Sequence, residues 1–377
     1  MLKRMGEGMG KGCEEYARRT SALEDLLRGD GFDAAVVSRR QDVHYLSGYS
    51  GSDAILVFAV SGNPKRFLLT DPRYREEAER SAPGWETAIW KNGMFAFAGA
   101  LLRKWRSRRV GFSPAATSVL SYRALRANAG AGKEFGDGDG RLASLRAVKS
   151  EFEIACVEKA VACAHSAFLA AKRRWKTGMT EREIRNDLEW EMRRRGAEDA
   201  AFETIVAAGA NASLPHAHAG GRPIAPGRML LIDFGARVGC YNSDATRTLW
   251  AGDVPRRWRQ RYQAVLAAQC AALAKLSAGT SCSLPEAAAR GVLAAAGLEE
   301  YFTHSLGHGV GLEVHEEPRL GSGGGGRLAA GNIVTVEPGL YFPGAGGIRI
   351  EDMALVTGDG ARVLGSLPKD VESMLIR

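Results

Sequence analysis

Four acids set inside apolar strands are the residues of this chain best placed to do chemistry. The stretch 229–249, MLLIDFGARVGCYNSDATRTL, has two apolar arms around a Gly- and Asn-containing turn, which predicts a β-hairpin. Asp233 lies in one arm and Asp244 in the other. The stretch 332–356, NIVTVEPGLYFPGAGGIRIEDMALV, repeats the design, with Glu337 and Glu351 in arms joined by a Gly/Pro turn. A buried, unpaired carboxylate is costly, so an acid in an apolar strand needs a partner. Residues opposite one another on paired strands have Cβ atoms about 5 Å apart. Two such hairpins can aim four carboxylates at one point, where they would repel and raise each other's pKa. A pair of divalent cations removes that conflict. Salt-bridged strand acids are the plainer alternative. No lysine lies in either hairpin, and the nearby cations are Arg247 and Arg349, two or three positions from an acid. Either is placed to orient a carboxylate from behind.

Histidines add to the acids. Three of the seven fall in 303–318, THSLGHGVGLEVHEEP: His304, His308 and His315. Glycines around His308 let backbone come close to a ligand. His216 lies in ASLPHAHAG, a turn-like segment ahead of the first hairpin. A single histidine is usually a core or surface residue; three in one Gly-rich stretch before an acid-bearing hairpin point to a site. His218, His44 and His165 lack that context and are expected to be structural or solvent-exposed.

The elements that must carry these residues divide into two domains, since 377 residues exceed one ordinary core. Residues 1–14, rich in Gly and Met, read as a flexible tail. Residues 15–140 alternate helix and strand: helix 15–27, strand 34–38, a helical turn at 43–46, and strands 54–60 and 67–69 around the turn 61–64. Helix 72–80, strand 85–90 and helices 95–106 and 117–128 follow. This βαβα rhythm predicts a small α/β domain. The segment 130–140, GAGKEFGDGDG, reads as the boundary. Beyond it, Ser150-x-x-Glu153 and Thr180-x-x-Glu183 are capping boxes, each opening an amphipathic helix. Further helices are expected at 257–276 and 285–296. Residues 141–377 form the second domain, and its two hairpins suggest a pseudo-twofold plan. The expected fold class is α/β, in the α+β sense.

Composition excludes several classes. The chain is 45% hydrophobic and 25% charged, as globular proteins are. Its net charge is +8, of which residues 1–145 hold +6, from 23 Lys+Arg against 17 Asp+Glu. The run 103–109, RKWRSRR, reads as a solvated basic helix face rather than a nucleic-acid site. Six cysteines without a CxxC fit free thiols in a reducing compartment. No apolar segment follows the basic amino terminus, and the apolar stretch 264–276 is too short to span a bilayer. These features predict a cytoplasmic protein without a membrane partner.

The motifs LIDFG, SDATRT, HSLGHGVGLEVHE, TVEPGLY and GIRIED, in this order, resemble the pita-bread metallopeptidases, in particular the Xaa-Pro aminopeptidase and prolidase branch. The segment from SALEDLLRGDGFDAAVV through FLLTDPRYREEAE is similar to the creatinase-type amino-terminal domain. The resemblance implies a catalytic domain of curved antiparallel sheet flanked by helices. It implies that Asp233 binds one metal, Asp244 and Glu351 bridge two, and His308 and Glu337 complete the second metal's ligands. An oxygen-dominated set of this kind favours Mn²⁺, with Co²⁺, Zn²⁺ or Fe²⁺ as substitutes. A water shared by the two cations would be the nucleophile, with Glu337 as general base. His315 and His216 would hold substrate and tetrahedral intermediate, and His304 and Arg349 would bind substrate. A homodimer and a proline-containing peptide are the implied partners. A non-catalytic binding protein on this fold would have lost ligands, and a creatinase-like amidinohydrolase would lack the full set. Dipeptidase and longer-peptide aminopeptidase stay open at this point.

Overall fold

The computed structural model describes residues 2–61, 65–323 and 325–376, with side chains from residue 12 onward. It divides into two compact units, Met1–Leu145 and Arg146–Arg377.

Unit 1 is a six-stranded mixed sheet with helices. Its helices are α1 (Leu2–Gly29), α2 (Arg40–Ser47), α3 (Arg75–Ser81), α4 (Met94–Lys104), α5 (Val119–Ala129) and α6 (Asp139–Ala147), the last crossing the division. Its strands are β1 (Ala34–Val37), β2 (Ala54–Ala59), β3 (Arg66–Thr70), β4 (Glu86–Ile89), β5 (Arg109–Phe112) and β6 (Glu134–Asp137). Their order is β4-β3-β2-β1-β5-β6. The chain starts as an antiparallel meander, then adds β4, β5 and β6 in parallel. Alternate residues of the central strands, Ala34, Val36, Ile55, Val57 and Leu69, pack on Leu102 and Leu125 of α4 and α5. That period-2 face is what a half-buried sheet requires.

Two expectations are corrected here. The helix α1 starts at Leu2, so backbone expected as a loose tail through residue 14 is helical. The Gly- and Asp-rich stretch 130–140 holds β6, paired with β5, and the start of α6. Neighbouring strand β5 supplies hydrogen bonds that local composition does not forecast. Of the expected turn at 61–64, residues 62–64 lie outside the described residues.

Unit 2 repeats one order twice: two helices, then strands. The first half has α7 (Glu151–Lys172) and α8 (Glu181–Arg194), followed by β7 (Asp199–Ala200), β8 (Ile205–Ala208), β9 (Met229–Phe234), β10 (Ala236–Val238), β11 (Tyr241–Asn242) and β12 (Ala245–Ala251). The second has α9 (Arg256–Leu273) and α10 (Leu284–Ala295). It continues with β13 (Gly307–Gly309), β14 (Glu316–Leu320), β15 (Ile333–Val336), β16 (Gly339–Phe342), β17 (Gly346–Arg349), β18 (Asp352–Val356) and β19 (Ala361–Val363). A last strand, β20 (Leu375–Ile376), pairs with β12. Both capping boxes form, with Ser150 and Thr180 as the N-caps of α7 and α8. One continuous core joins α7, α8 and α9 to the hairpins, with Phe168 stacked on Phe234 and Trp250 against Tyr262.

Among the described residues α7 alone is long and apolar enough to cross a membrane by composition. Half of its most apolar stretch is buried inside unit 2, where Val157, Ala160, Ala164 and Phe168 face the core. All six cysteines are free.

Candidate metal centre

Each hairpin is one ladder broken at its acids. In the first, β9 and β12 pair with Asp233 opposite Thr246, and β10 and β11 continue the same register, Val238 opposite Tyr241. Asp244 lies two residues before Thr246, so it shares the face of Asp233. The turn has Gly239 and Cys240 both at positive φ (59° and 67°), as a two-residue type I′ hairpin needs. At the break, a Cβ on Gly235 would lie 1.9 Å from the carbonyl oxygen of Ser243, so only glycine allows this approach. In the second hairpin, Val336 pairs with Asp352 and Gly339 with Arg349, one register throughout. Glu337 therefore lies directly opposite Glu351. Their backbone N–H groups turn outward, Glu337 to the carbonyl of Leu306 and Glu351 to that of Thr246. The second of these bonds joins the two hairpins.

The structure brings nine of the residues singled out in the sequence to one cavity of about 450 Å³ in unit 2: Asp233, Asp244, Glu337, Glu351, His216, His304, His308, His315 and Arg349. Ligand atoms of Asp244, His308 and Glu351 lie within 4.8 Å of one another. His308 Nε2 is 3.3 Å from Glu337 and 3.7 Å from Asp244. Its Nδ1 donates to the carbonyl of Gly309 (3.1 Å), which leaves Nε2 as the nitrogen facing the acids.

Charges in this cavity are out of balance in a way that fits cations. Burial, then Glu351, Asp233 and Glu337, pushes the Asp244 carboxyl well above the usual range. Burial, then Glu337 and Asp233, does the same to Glu351. Asp233 is also raised, by burial that the Arg349 charge only partly opposes. Burial alone would raise Glu337 too, but the hydrogen bond and charge of His308 outweigh it and hold that carboxyl low. The Oδ1 atom of Asp233 is buried and has no hydrogen-bond partner among the described residues. Such an atom is expensive unless something positive meets it. Four carboxylates and one imidazole are a donor set for a hard divalent cation.

Threonines behind the acids orient them. Thr246 donates to Glu351 (2.6 Å) and accepts from Arg349 Nε (3.0 Å). Thr335 donates to Glu337 (3.1 Å) and accepts from the backbone of His308 (3.0 Å). Each stands two residues from an acid, on the same strand face, a period-2 signal present in SDATRT and TVEPG.

The arginines and remaining histidines have more varied surroundings. Arg349, expected to orient a carboxylate from behind and to bind substrate, does the first: it donates to Asp233 (2.5 Å), Thr246 and Tyr341 (2.7 Å) and is buried. It holds an acid of the centre. Arg247 reaches no carboxylate of the centre. It bonds Asp352 (2.6 Å) and the carbonyls of Thr246, Glu351 and Leu367, tying the hairpins together from below. His304 uses both ring nitrogens internally, Nδ1 donating to the carbonyl of Ser305 and Nε2 accepting from the Tyr341 hydroxyl (3.0 Å). Only its carbon edge is left for a ligand. The His315 ring lies tilted against that of His308, with centroids 4.3 Å apart, and burial and the His308 charge lower its proton affinity. His218 is solvent-exposed, as expected, and stands at the cavity's edge with its Nδ1 3.3 Å from Glu203. Arg319, which motif reading passed over, lines the cavity with its side chain exposed, and no acidic partner is found among the described residues. No spacing rule marks it, because a lone arginine on a short strand reads as surface charge.

Acids and an imidazole converging on one cavity, in a chain that also carries a separate α/β unit, are features of a metallopeptidase. Comparison with known proteins then fixes the family: the chain belongs to metallopeptidase family M24, whose model matches residues 155–358. The creatinase/prolidase N-terminal domain model matches residues 19–148. Peptidase YqhT of Bacillus subtilis is 34% identical over 93% of this chain and 98% of its own length. The Xaa-Pro dipeptidase of Pyrococcus furiosus is 32% identical over 94% and 99%. Among solved structures, an Xaa-Pro dipeptidase from Bacillus anthracis superposes with a TM-score of 0.90 at 31% identity, covering 96% of this chain and 99% of that one. An X-Pro aminopeptidase from Thermotoga maritima gives 0.86 at 32% identity, covering 94% and 98%. The fold is the pita-bread metallopeptidase fold with its amino-terminal domain, as the motifs imply.

Proposed function

We propose that this enzyme hydrolyses the peptide bond between an amino-terminal residue and proline, with two divalent cations held by Asp233, Asp244, His308, Glu337 and Glu351. The observation that carries the reading is the convergence of these five side chains on one cavity, with Asp233 Oδ1 buried and unmatched. The relatives named Xaa-Pro dipeptidase and X-Pro aminopeptidase support the substrate. Mn²⁺ is the cation proposed from the oxygen-rich donor set. A homodimer and a cytoplasmic location are proposed by likeness to the family.

Such cations, when bound, would lower the pKa of water towards about 7 and polarise the scissile carbonyl. The chain supplies the rest. Glu337 takes the proton of the attacking water and passes it to the leaving nitrogen. That nitrogen is tertiary in an Xaa-Pro bond and carries no N–H, so recognition rests on groups other than a backbone donor bond. His216 and His315, on the cavity wall, donate to substrate and to the developing oxyanion. Arg319 is proposed to pair with the carboxylate of a free proline, which favours dipeptides over longer chains.

Hydrolysis of Gly-Pro and of a longer Gly-Pro peptide, each with Mn²⁺ and with chelator, tests both levels. Metal-dependent cleavage of Gly-Pro, with weaker cleavage of the longer peptide, is expected. Arg319→Gln should raise KM for Gly-Pro about tenfold or more, the loss of a charge-assisted bond. Turnover undisturbed by chelation, or no cleavage of either peptide, would overturn the function.

A further inference from the structure

We infer that Gln269 is a positioning residue for the metal centre, acting on the spacing of Glu337 and Glu351 through the backbone just ahead of each. The inference rests on the proposed ligand set. Gln269 projects from α9, fully buried. Its Nε2 donates to the carbonyl of Val336 (3.1 Å) and to that of Ile350 (3.3 Å). These are the residues immediately before Glu337 and Glu351. The same nitrogen lies 3.1 Å from Asp352, and Lys369 donates to Oε1 (3.2 Å), which fixes which way the amide points.

The hairpin needs this amide for a definable reason. Residues 338 and 350 are opposite and hydrogen-bonded, with Ile350 N–H donating to the carbonyl of Pro338 (3.4 Å). The return bond of that pair is absent, because proline has no N–H to offer the carbonyl of Ile350. Ile350 is fully buried, so its carbonyl would be left without a donor in the core. Gln269 fills the gap and, by reaching Val336 as well, clamps both strands where they part around the two acids. A leucine or methionine of similar volume would pack there but leave the break unsupported.

The test measures metal binding rather than turnover. Mn²⁺ is titrated by calorimetry into metal-free wild type, Gln269→Met, Pro338→Ala and the double variant. Gln269→Met should bind Mn²⁺ about 10- to 100-fold more weakly, the usual effect of removing support behind a ligand. Pro338→Ala gives position 338 an N–H facing the Ile350 carbonyl. The double variant should therefore regain at least half of the lost binding on a logarithmic scale, which general damage to the core would not allow. Wild-type affinity in Gln269→Met, or an undiminished loss in the double variant, overturns the role. If Gln269→Met does not fold, Gln269→Glu carries the same expectation, since it keeps the Lys369 contact and cannot clamp both carbonyls. Failure of the wild type itself to bind Mn²⁺ would strike the ligand set instead.

Discussion

Asp233 has one oxygen held by Arg349 and the other buried with no hydrogen-bond partner among the described residues. At the scale of single residues, this asymmetry separates a metal centre from a set of salt-bridged strand acids. A salt bridge would answer both oxygens or expose one to water. Two of the other acids, Asp244 and Glu351, are pushed up by burial and by their acidic neighbours, so the cavity holds more negative charge than its own cations balance. Glu337 differs in having His308 beside it. Glu337→Ala should lower kcat on Gly-Pro by at least about a hundredfold, the scale of a lost general base. Circular dichroism of the variant should match wild type, and near-normal turnover would remove Glu337 from the base role. The two arginines divide: Arg349 holds a carboxylate of the cavity from behind, as expected, and Arg247 does not. Arg247 and Arg349 stand at similar distances from acids in the sequence, yet Arg349 reaches Asp233 in the cavity while Arg247 reaches Asp352, which does not line it. Strand register decides which side chain of a hairpin faces the cavity.

Elements explain why the acids can be so close without ordinary strand geometry. Both hairpins open at the acid positions and resume the same register beyond, β9/β12 into β10/β11 and β15/β18 into β16/β17. The break redirects backbone donors between hairpins, as in Glu351 N–H to Thr246. Gly235 is the point where this depends on having no side chain. Gly235→Ala would place Cβ against backbone of Ser243, which cannot swing aside as a side chain can. It should cost about 1–3 kcal/mol, as overpacking does. Chemical denaturation would measure it, and an unchanged midpoint would mean that the strands part more easily than this geometry suggests. The hairpins and the capped helices were legible because period-2 apolar arms and S/T-x-x-E boxes are local patterns. The strand β6 and the first turns of α1 were not, since glycine-rich sequence takes the structure its neighbours impose.

Unit 2 as a whole carries an acid-sensitive group below its metal centre. The Nδ1 of His165, on α7, is buried without a hydrogen-bond partner among the described residues, and burial, then the Arg247 charge, lowers the ring's pKa to about 4, with Asp352 opposing. An unfolded histidine titrates near 6.5. Its neutral form is thus favoured by folding, and this stability is complete above about pH 6.5 and lost as pH falls through about 4. The span corresponds to roughly 3 kcal/mol. His165→Leu should flatten that part of the pH dependence, read as the urea midpoint of metal-free protein at pH 7, 5.5 and 4.5. Parallel curves for variant and wild type would show that the ring charges without opposing the fold.

By itself, the sequence determined the family, the two-hairpin plan and the identity of the acids and histidines, because these are written in residue types at fixed local spacing. Only the tertiary structure decided which arginine serves the centre, that Thr246 and Thr335 stand behind the glutamates, that Arg319 and His218 reach the cavity, and that an amide from α9 replaces the donor proline lacks. Those outcomes depend on which side chains meet across elements far apart in the chain. Distance through space, unlike periodicity along it, leaves no local mark on sequence.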